Sequence, residues 1–191
     1  QSFTTETPEL RNQRRLKNLT EVEATEHVRV GEFTEAFAKL RELGHIQEFE
    51  TWSEAYAPII QRWWTLRQEG RGHPLVERTN ANRQVLNTLA QTLRHRAGEI
   101  GEVIPVGAKA FAIGDEVIAK VPYKKLVNTE SSEYIRNASA GVVVDIGEDT
   151  MVVDFVDIGE ISIPLEWAAR PAGIDLAYAM TSYSVQGATN E

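Results

Sequence analysis

The stretch 141–163, GVVVDIGEDTMVVDFVDIGEISI, decides how the second half of this 191-residue chain folds. Its runs 141–146, 151–155 and 161–163 are rich in valine and isoleucine, and Gly, Glu and Asp separate them in turn-forming combinations. Runs of this length and punctuation predict a meander of short β-strands. Because so small a sheet exposes its edge strands, closure into a strongly curved barrel is the economical arrangement. The polar stretch 123–137 predicts a long loop on that barrel.

Upstream of this stretch the pattern is helical. An N-terminal helical segment is interrupted at Gly31, residues 33–40 form a second amphipathic stripe, and residues 51–66 form a third that opens with a capping box. Residues 74–79 are extended in character and run into Asn80-Ala81-Asn82, after which we expect a further helix. The apolar face of that helix carries Val85, Leu86, Leu89 and Leu93. Such a strand–loop–helix unit is typical of α/β folds, which present ligands at the carboxyl ends of their strands.

The composition excludes several classes of protein. Hydrophobic residues make up 42% of the chain, which is enough for a core, and the sequence has no cysteine for disulfides or thiolate metal sites. No run approaches the roughly 18 apolar residues of a membrane span, and no secretory signal precedes residue 20. The histidines lack the spacing of metal ligands. We therefore expect a cytoplasmic protein with no membrane insertion and no metal site.

The charge is unevenly distributed along the chain. The formal net charge is −8. The stretch 141–175 holds eight acidic residues against the single Arg170, whereas 78–96 holds four arginines and no acid. Those arginines are Arg78, Arg83, Arg94 and Arg96. The sequence therefore predicts a basic patch beside an acidic lobe, although either run also fits an ordinary solvated face.

Hydroxyl, amide and glycine residues crowd together at the end of the chain, where 177–189 reads AYAMTSYSVQGAT. Glycine allows close approach of the backbone to a ligand, and neutral donors and acceptors position phosphate and sugar groups. Residue chemistry alone also fits a polar loop after a short buried segment.

The stretch 177–189 resembles motif V of superfamily 1 DNA helicases of the RecD type, above all the helicase part of MobF-type conjugative relaxases. Residues 78–87, RTNANRQVLN, are similar to the segment that opens the second RecA-like domain of the same helicases. Both segments occur in the family's order. The resemblance implies an α/β fold: a partial RecA-like P-loop helicase domain with N-terminal helices and an inserted small SH3-like β-barrel.

The resemblance implies four parts of the chain. Residues 1–73 would be a helical segment that leads into the second motor domain, and 74–103 the start of that RecA-like domain. Residues 104–167 would be the inserted SH3-like β-barrel. Residues 168–191 would return to the RecA-like domain and carry motif V.

The resemblance also implies contacts with single-stranded DNA. The residues assigned to these contacts are Thr79, Asn80, Arg83, Thr181, Ser182, Tyr183, Gln186, Gly187 and Thr189, of which Arg83 is assigned by charge alone. Tyr183 and Ser184 stand where these helicases commonly carry His and Lys. That departure removes a positive charge from the implied contact.

Nucleotide hydrolysis is not expected of this chain by itself. The sequence contains no Gly-x-x-x-x-Gly-Lys-Ser/Thr loop and no acidic Mg²⁺ motif to accompany one, so we assign no catalytic residue and no cofactor. The resemblance implies a fragment of an ATP-dependent DNA translocase or helicase, in a conjugative relaxase that acts in plasmid transfer. ATP, Mg²⁺ and the first RecA-like domain would then belong to the parent protein.

Two other functions stay open at the level of sequence. The acidic lobe favours a non-catalytic β-barrel interaction module, for example a signal that docks to a protein of a secretion or conjugation machine. A hydrolase could use Asp145, Asp154 and Asp157 as paired carboxylates, although each of them also fits a strand-end or turn position.

Overall fold

A computed structural model of the chain describes residues 18–72, 74–126 and 132–181. The chain divides into two compact units, 1–54 and 55–191. Over the described ranges the fold is mixed α/β, with five helices and a five-stranded antiparallel sheet. None of the helices in this part of the chain is long and apolar enough to cross a membrane.

The described part of the N-terminal unit is a helical hairpin. Helix α1, Leu19–Val30, begins where the Asn18 side chain accepts a hydrogen bond from the Thr20 N–H at 2.9 Å. Gly31 ends α1 with φ 86°, a left-handed conformation that glycine adopts without strain. Helix α2, Phe33–Glu42, follows immediately. The predicted interruption at Gly31 and the second helix are both confirmed.

Two longer helices follow, α3 (Trp52–Gln68) and α4 (Asn80–Arg96). The Thr51 hydroxyl accepts from the Glu54 N–H and so caps α3 as predicted. The Glu54 carboxylate accepts from the same hydroxyl rather than from the Thr51 N–H, so the capping box is only half formed. Strands β1 (Leu75–Val76) and β11 (Ala179–Met180) form a parallel pair. In the second unit, α3, α4 and this pair share one core. Its buried members are Ile60, Trp63, Leu86, Ala90, Tyr178 and Ala179.

The five-stranded sheet lies between β1 and β11 in sequence. Its strands are β4 (Glu116–Ala119), β7 (Ala140–Ile146), β8 (Thr150–Phe155), β9 (Gly159–Pro164) and β10 (Ile174–Leu176). They pair in the order β10-β4-β7-β8-β9, always antiparallel. The helix α5, Leu165–Ala168, follows β9. Two separate hairpins accompany the sheet: β2 (Ile104–Val106) with β3 (Lys109–Phe111), and β5 (Tyr123–Leu126) with β6 (Ser132–Ile135).

The sheet has one buried face because apolar residues alternate along its strands. Met151, Val153 and Phe155 of β8 are buried, whereas Asp154 between them is exposed. On β9, Ile161 and Ile163 continue the same buried face. These side chains form a second core, which Val106, Phe111, Ile135, Val143, Trp167 and Ile174 complete from the neighbouring strands and α5.

The predicted meander is confirmed by β7, β8 and β9. A closed barrel is not found in the described residues, where strands β10 and β9 end the sheet, so the SH3-like barrel and the RecA-like domain stay predictions. The sheet also extends beyond residue 167, because β10 pairs with β4.

The predicted long loop at 123–137 is wrong, since β5 and β6 pair within it. Alternation explains the hairpin: Ile135 is fully buried and Tyr123 packs against Trp167 with ring centroids 4.7 Å apart, while Lys124 and Tyr134 are exposed.

Replacing Gly141 by alanine tests the close packing of β7 on β8. A Cβ at this position would lie 2.6 Å from the Asp154 carbonyl oxygen and 3.0 Å from the Phe155 Cα, so backbone would have to shift. We expect G141A to lower the free energy of unfolding by about 2 kcal/mol in urea titrations. G147A is the matched control, because its nearest neighbour, the Thr150 carbonyl oxygen, would be at an ordinary 3.6 Å. An equal loss in both variants would contradict this packing.

Candidate functional site

The parallel pair of β1 and β11 creates one edge where both strands end. Leu75 pairs with Ala179 and Val76 with Met180, and the Glu77 N–H donates to the Met180 carbonyl at 2.9 Å. Because the strands are parallel, the residues that follow β1 and those that follow β11 emerge at the same edge. We call the residues Glu77 to Asn82 together with Thr181 the carboxyl edge. The structure thus joins the starts of two segments that are far apart in sequence.

The turn from β1 into α4 is held by a buried carboxylate. Glu77 Oε1 accepts hydrogen bonds from the Thr79 N–H at 2.9 Å, the Thr79 hydroxyl at 3.1 Å and the Asn82 side-chain amide at 3.2 Å. The Thr79 hydroxyl also accepts from the Asn82 N–H, which makes Thr79 the N-cap of α4. The Tyr56 hydroxyl donates to the Asn82 amide oxygen at 2.9 Å. The conformation of this turn is therefore fixed by its own side chains.

The structure separates the predicted DNA contacts into different environments. Thr79 and Asn80 lie exposed at the start of α4, and Thr181 lies half-buried just after β11. Arg83 is only 4% exposed, and its guanidinium donates to Asp175 at 2.7 Å and to the Asn80 side chain at 3.3 Å. A contact between Arg83 and phosphate would require this ion pair to open. The remaining predicted contacts, Ser182, Tyr183, Gln186, Gly187 and Thr189, lie outside the described residues.

Four polar side chains of α4 form a buried stripe that the sequence analysis did not identify. Arg83, Asn87, Gln91 and Arg94 recur at helical spacing and are each at most 7% exposed. The spacing of four, four and three residues is visible in the sequence. It was missed because helical periodicity is ordinarily sought among apolar residues. We call these four residues the polar stripe. It faces the segment 175–179 and the turn before β4, so it joins the helix to the sheet.

Asn87 is the centre of the polar stripe. Its side-chain oxygen accepts from the Ala179 N–H at 2.7 Å, and its side-chain nitrogen donates to the Ala179 carbonyl at 3.1 Å. Both partners are buried. The Asn87 side chain therefore pairs with both backbone groups of Ala179, which in a wider sheet would pair with a neighbouring strand.

Asp115 and Tyr178 form a buried hydrogen-bonded pair at the other end of the stripe. The Tyr178 hydroxyl donates to Asp115 at 2.6 Å and accepts from Arg94 at 2.8 Å. Asp115 also accepts from the Gln91 amide at 2.6 Å and from the Ala112 N–H at 2.7 Å. Both the Asp115 carboxyl group and the Tyr178 hydroxyl are buried and form several hydrogen bonds. This fits a structural role rather than proton transfer to a ligand.

Burial dominates the electrostatics of this pair. Burial raises the pKa of Asp115, and the hydrogen bonds from Tyr178, Gln91 and Ala112 act against it. Burial also raises the pKa of Tyr178 far above its usual value, and the neighbouring Asp115 adds to that increase. The Tyr178 hydroxyl therefore keeps its proton and remains the donor to Asp115.

The predicted basic patch is reduced by ion pairing. Arg83 is paired with Asp175, and the Arg94 guanidinium lies 3.0 Å from Glu99 and 3.6 Å from Glu116. Arg78 and Arg96 remain exposed, at the two ends of α4. The prediction of a continuous basic patch is therefore wrong. Of the four arginines, Arg78 is the exposed one at the carboxyl edge.

An open cleft of about 480 Å³ lies beside the stripe, between α4 and the β2–β3 hairpin. Its lining includes Gln84, Thr88, Lys109 and Asp175. The Lys109 ammonium donates to the carbonyls of Arg170 and Ile174 at 2.6 Å each, so it holds the chain before β10. Burial lowers the pKa of Lys109, although the nearby Asp175 opposes the shift.

The described ranges contain neither a cluster of metal ligands nor a buried pair of the carboxylates considered for a hydrolase. No group of three His, Cys, Asp or Glu side chains there could hold a metal ion. The candidate hydrolase carboxylates Asp145, Asp154 and Asp157 are exposed, in β7, in β8 and in the turn before β9.

Neither a scan against protein-family models nor a search of curated proteins found a match.

Replacing Asn87 by alanine tests the stripe. The change leaves the N–H and the carbonyl of Ala179 buried without their side-chain partner, and we expect it to lower the free energy of unfolding by about 3 kcal/mol. Thr88→Ala is the control, because the exposed Thr88 hydroxyl donates only to the Gln84 carbonyl of its own helix. Urea unfolding followed by circular dichroism measures both. Alanine has a higher helix propensity than threonine, so T88A should lose little or no stability. A loss of similar size in T88A would show that the loss in N87A is not specific to the contact with β11.

The pH dependence of stability should report the ion pairs of Glu99. Burial would raise the pKa of Glu99, but hydrogen bonds from Arg94 and Gln68 and the charge of Arg67 outweigh it and hold the pKa below its usual value. A carboxyl group whose folded pKa is depressed stabilises the protein above its unfolded pKa of about 4.3, and this contribution is lost as pH falls through the folded value.

We therefore expect Glu99→Gln to be less stable than the parent chain at neutral pH, with the difference shrinking steadily as pH falls below about 4. Urea unfolding across this range measures the difference. Glu102→Gln, which removes an exposed carboxylate nearby in sequence, is the charge-matched control. A difference that stays constant with pH would contradict the assignment.

Proposed function

We propose that this chain is part of an ATP-dependent translocase of single-stranded DNA, to which it contributes strand contact rather than hydrolysis. The observation that carries the proposal is the carboxyl edge, which brings the start of the Thr79–Asn80 segment and the start of the Thr181 segment to one place. Each segment resembles a different motif of the same helicases. Convergence of two such segments at the ligand-binding end of parallel strands is what a common ligand requires.

The chemistry of the carboxyl edge suits a phosphate–sugar backbone. Asn80 presents an exposed side-chain amide at the N-terminus of α4, and Arg78 presents an exposed cation two residues earlier in the chain. Neutral donors fix the position of a strand, while a cation adds affinity by releasing counterions. With one exposed arginine at the described edge and a net charge of −8, binding by this chain alone should be weak and sensitive to salt.

The parent protein that we propose is a helicase of the RecD type, most like a conjugative relaxase that acts in plasmid transfer. The β1–α4–β11 unit would belong to its second RecA-like domain, and the five-stranded sheet with its hairpins would be the inserted SH3-like barrel. The first RecA-like domain would supply the phosphate-binding loop, and ATP and Mg²⁺ would bind in the assembled parent, since this sequence lacks that loop.

Fluorescence anisotropy with a labelled oligonucleotide tests strand contact. We expect single-stranded DNA to bind more tightly than duplex at low salt, and Arg78→Gln to lower the slope of log affinity against log salt by about 0.7. Arg96→Gln is the matched control, because it removes the same charge at the opposite end of α4, about 25 Å away along the helix. Asn80→Ala should weaken binding without changing this slope, since the amide carries no charge.

Two outcomes would contradict the proposal. Equal binding of single-stranded and duplex DNA would show that no strand is recognised. Equal losses in R78Q and R96Q would show that any binding follows overall charge and not the carboxyl edge.

A further inference from the structure

The outer face of β7, β8 and β9 carries apolar side chains that face solvent. Val142 and Val144 of β7 are 40% and 36% exposed, on the side opposite the buried Val143. In the turn between β8 and β9, Val156 is 84% exposed and Ile158 is 42% exposed. Val142 pairs in register with Asp154, so Val156, two residues further on, lies at a diagonal position beside Val142. Neighbouring exposed apolar side chains mark an interaction site more often than scattered ones do. We call the exposed side of β7–β9 with this turn the valine face.

The stretch of chain that forms the valine face carries only negative charge. The stretch 141–166 contains seven acidic residues and no lysine or arginine. Asp154 of β8 pairs in register with Glu160 of β9, so their carboxylates project from the same side at directly opposed positions. Neither forms an ion pair within the described ranges. Like charges at opposed positions destabilise a sheet, so this pair has a cost in the free protein.

The same row of the sheet shows how such a carboxylate is satisfied. Glu116 of β4 pairs in register with Val142, which pairs with Asp154 on its other side. Arg67 approaches Glu116 to 2.8 Å and Arg94 approaches it to 3.6 Å, both from helices outside the sheet. Guanidinium groups of this chain therefore neutralise Glu116 at one end of the row. Asp154 and Glu160, at the other end, have no such partner within the described ranges.

We propose that the valine face docks a basic, aliphatic segment of a partner polypeptide. Guanidinium or ammonium groups of that segment would meet Asp154 and Glu160 as Arg67 meets Glu116, and its apolar side chains would cover Val142, Val156 and Ile158. Charge complementarity excludes nucleic acid and anionic lipid from this face, because both are polyanions. The inference goes beyond DNA contact and does not depend on it.

Titration with synthetic peptides tests the docking face on the full chain. The probe is a short labelled peptide of alternating arginine and valine, compared with peptides in which glutamate replaces arginine or serine replaces valine. Anisotropy should give the tightest binding for the arginine–valine peptide, and NMR shift changes should concentrate on 142–160. The double variant Asp154→Asn with Glu160→Gln should weaken binding at least roughly fivefold, since it removes both close charge pairs.

Two controls separate recognition from net charge and from misfolding. Glu42→Gln with Glu50→Gln removes the same number of exposed charges from the N-terminal unit and should leave the affinity unchanged. D154N/E160Q should unfold at a temperature no lower than the parent chain, because the change relieves a like-charge pair. Val156→Ser should weaken binding of the arginine–valine peptide more than that of the arginine–serine peptide.

The proposal fails if the arginine–valine peptide does not bind, or if both double variants lose affinity equally. It also fails if the serine-containing peptide binds as well as the valine-containing one, because the apolar surface would then have no part in recognition.

Discussion

The hydrogen bonds between Asn87 and both backbone groups of Ala179 determine where β11 lies, and the carboxyl edge depends on them. Strands β1 and β11 pair over only two residues each, too few to hold a parallel pair on their own. Helix α4 holds β11 in place, because the Asn87 side chain forms hydrogen bonds with the main chain of β11. The alignment of the Thr79 turn with Thr181 is thus set by a helix face.

The polar stripe extends this constraint along the helix. Arg83 fixes Asp175 in β10, Arg94 fixes Tyr178 and Asn87 fixes Ala179 in β11, so the segment from β10 to β11 is bonded at three levels of α4. An apolar stripe would accept several positions of that segment, whereas donors and acceptors with fixed partners accept one. Removing one member would leave a buried charge or amide unpaired, which costs more than the intact pair contributes.

Local pattern predicted a large part of this fold. Valine runs with Gly and Asp between them predicted β7–β9, and the hydroxyl–acid spacing at Thr51 predicted the cap of α3. The polar stripe escaped prediction because its partners lie far away in sequence, from 24 residues for Gln91 and Asp115 to 92 residues for Arg83 and Asp175. Polar residues on a helix also ordinarily face water. For the same reason Arg83 was interpreted as a surface cation. The membership of β10 in the sheet also escaped prediction, because it rests on the pairing of β10 with β4, which the sequence does not reveal.

The parallel pair of β1 and β11 also imposes an order on folding. About 100 residues separate the two strands, and closing a loop of that length costs entropy that two short strands cannot repay. The antiparallel meander of β7, β8 and β9 between them is built from consecutive strands and can form first, which shortens the effective loop. We therefore expect the docking of β11 beside β1 and against α4 to be the last step of assembly. The carboxyl edge consequently exists only in chains whose sheet has already folded.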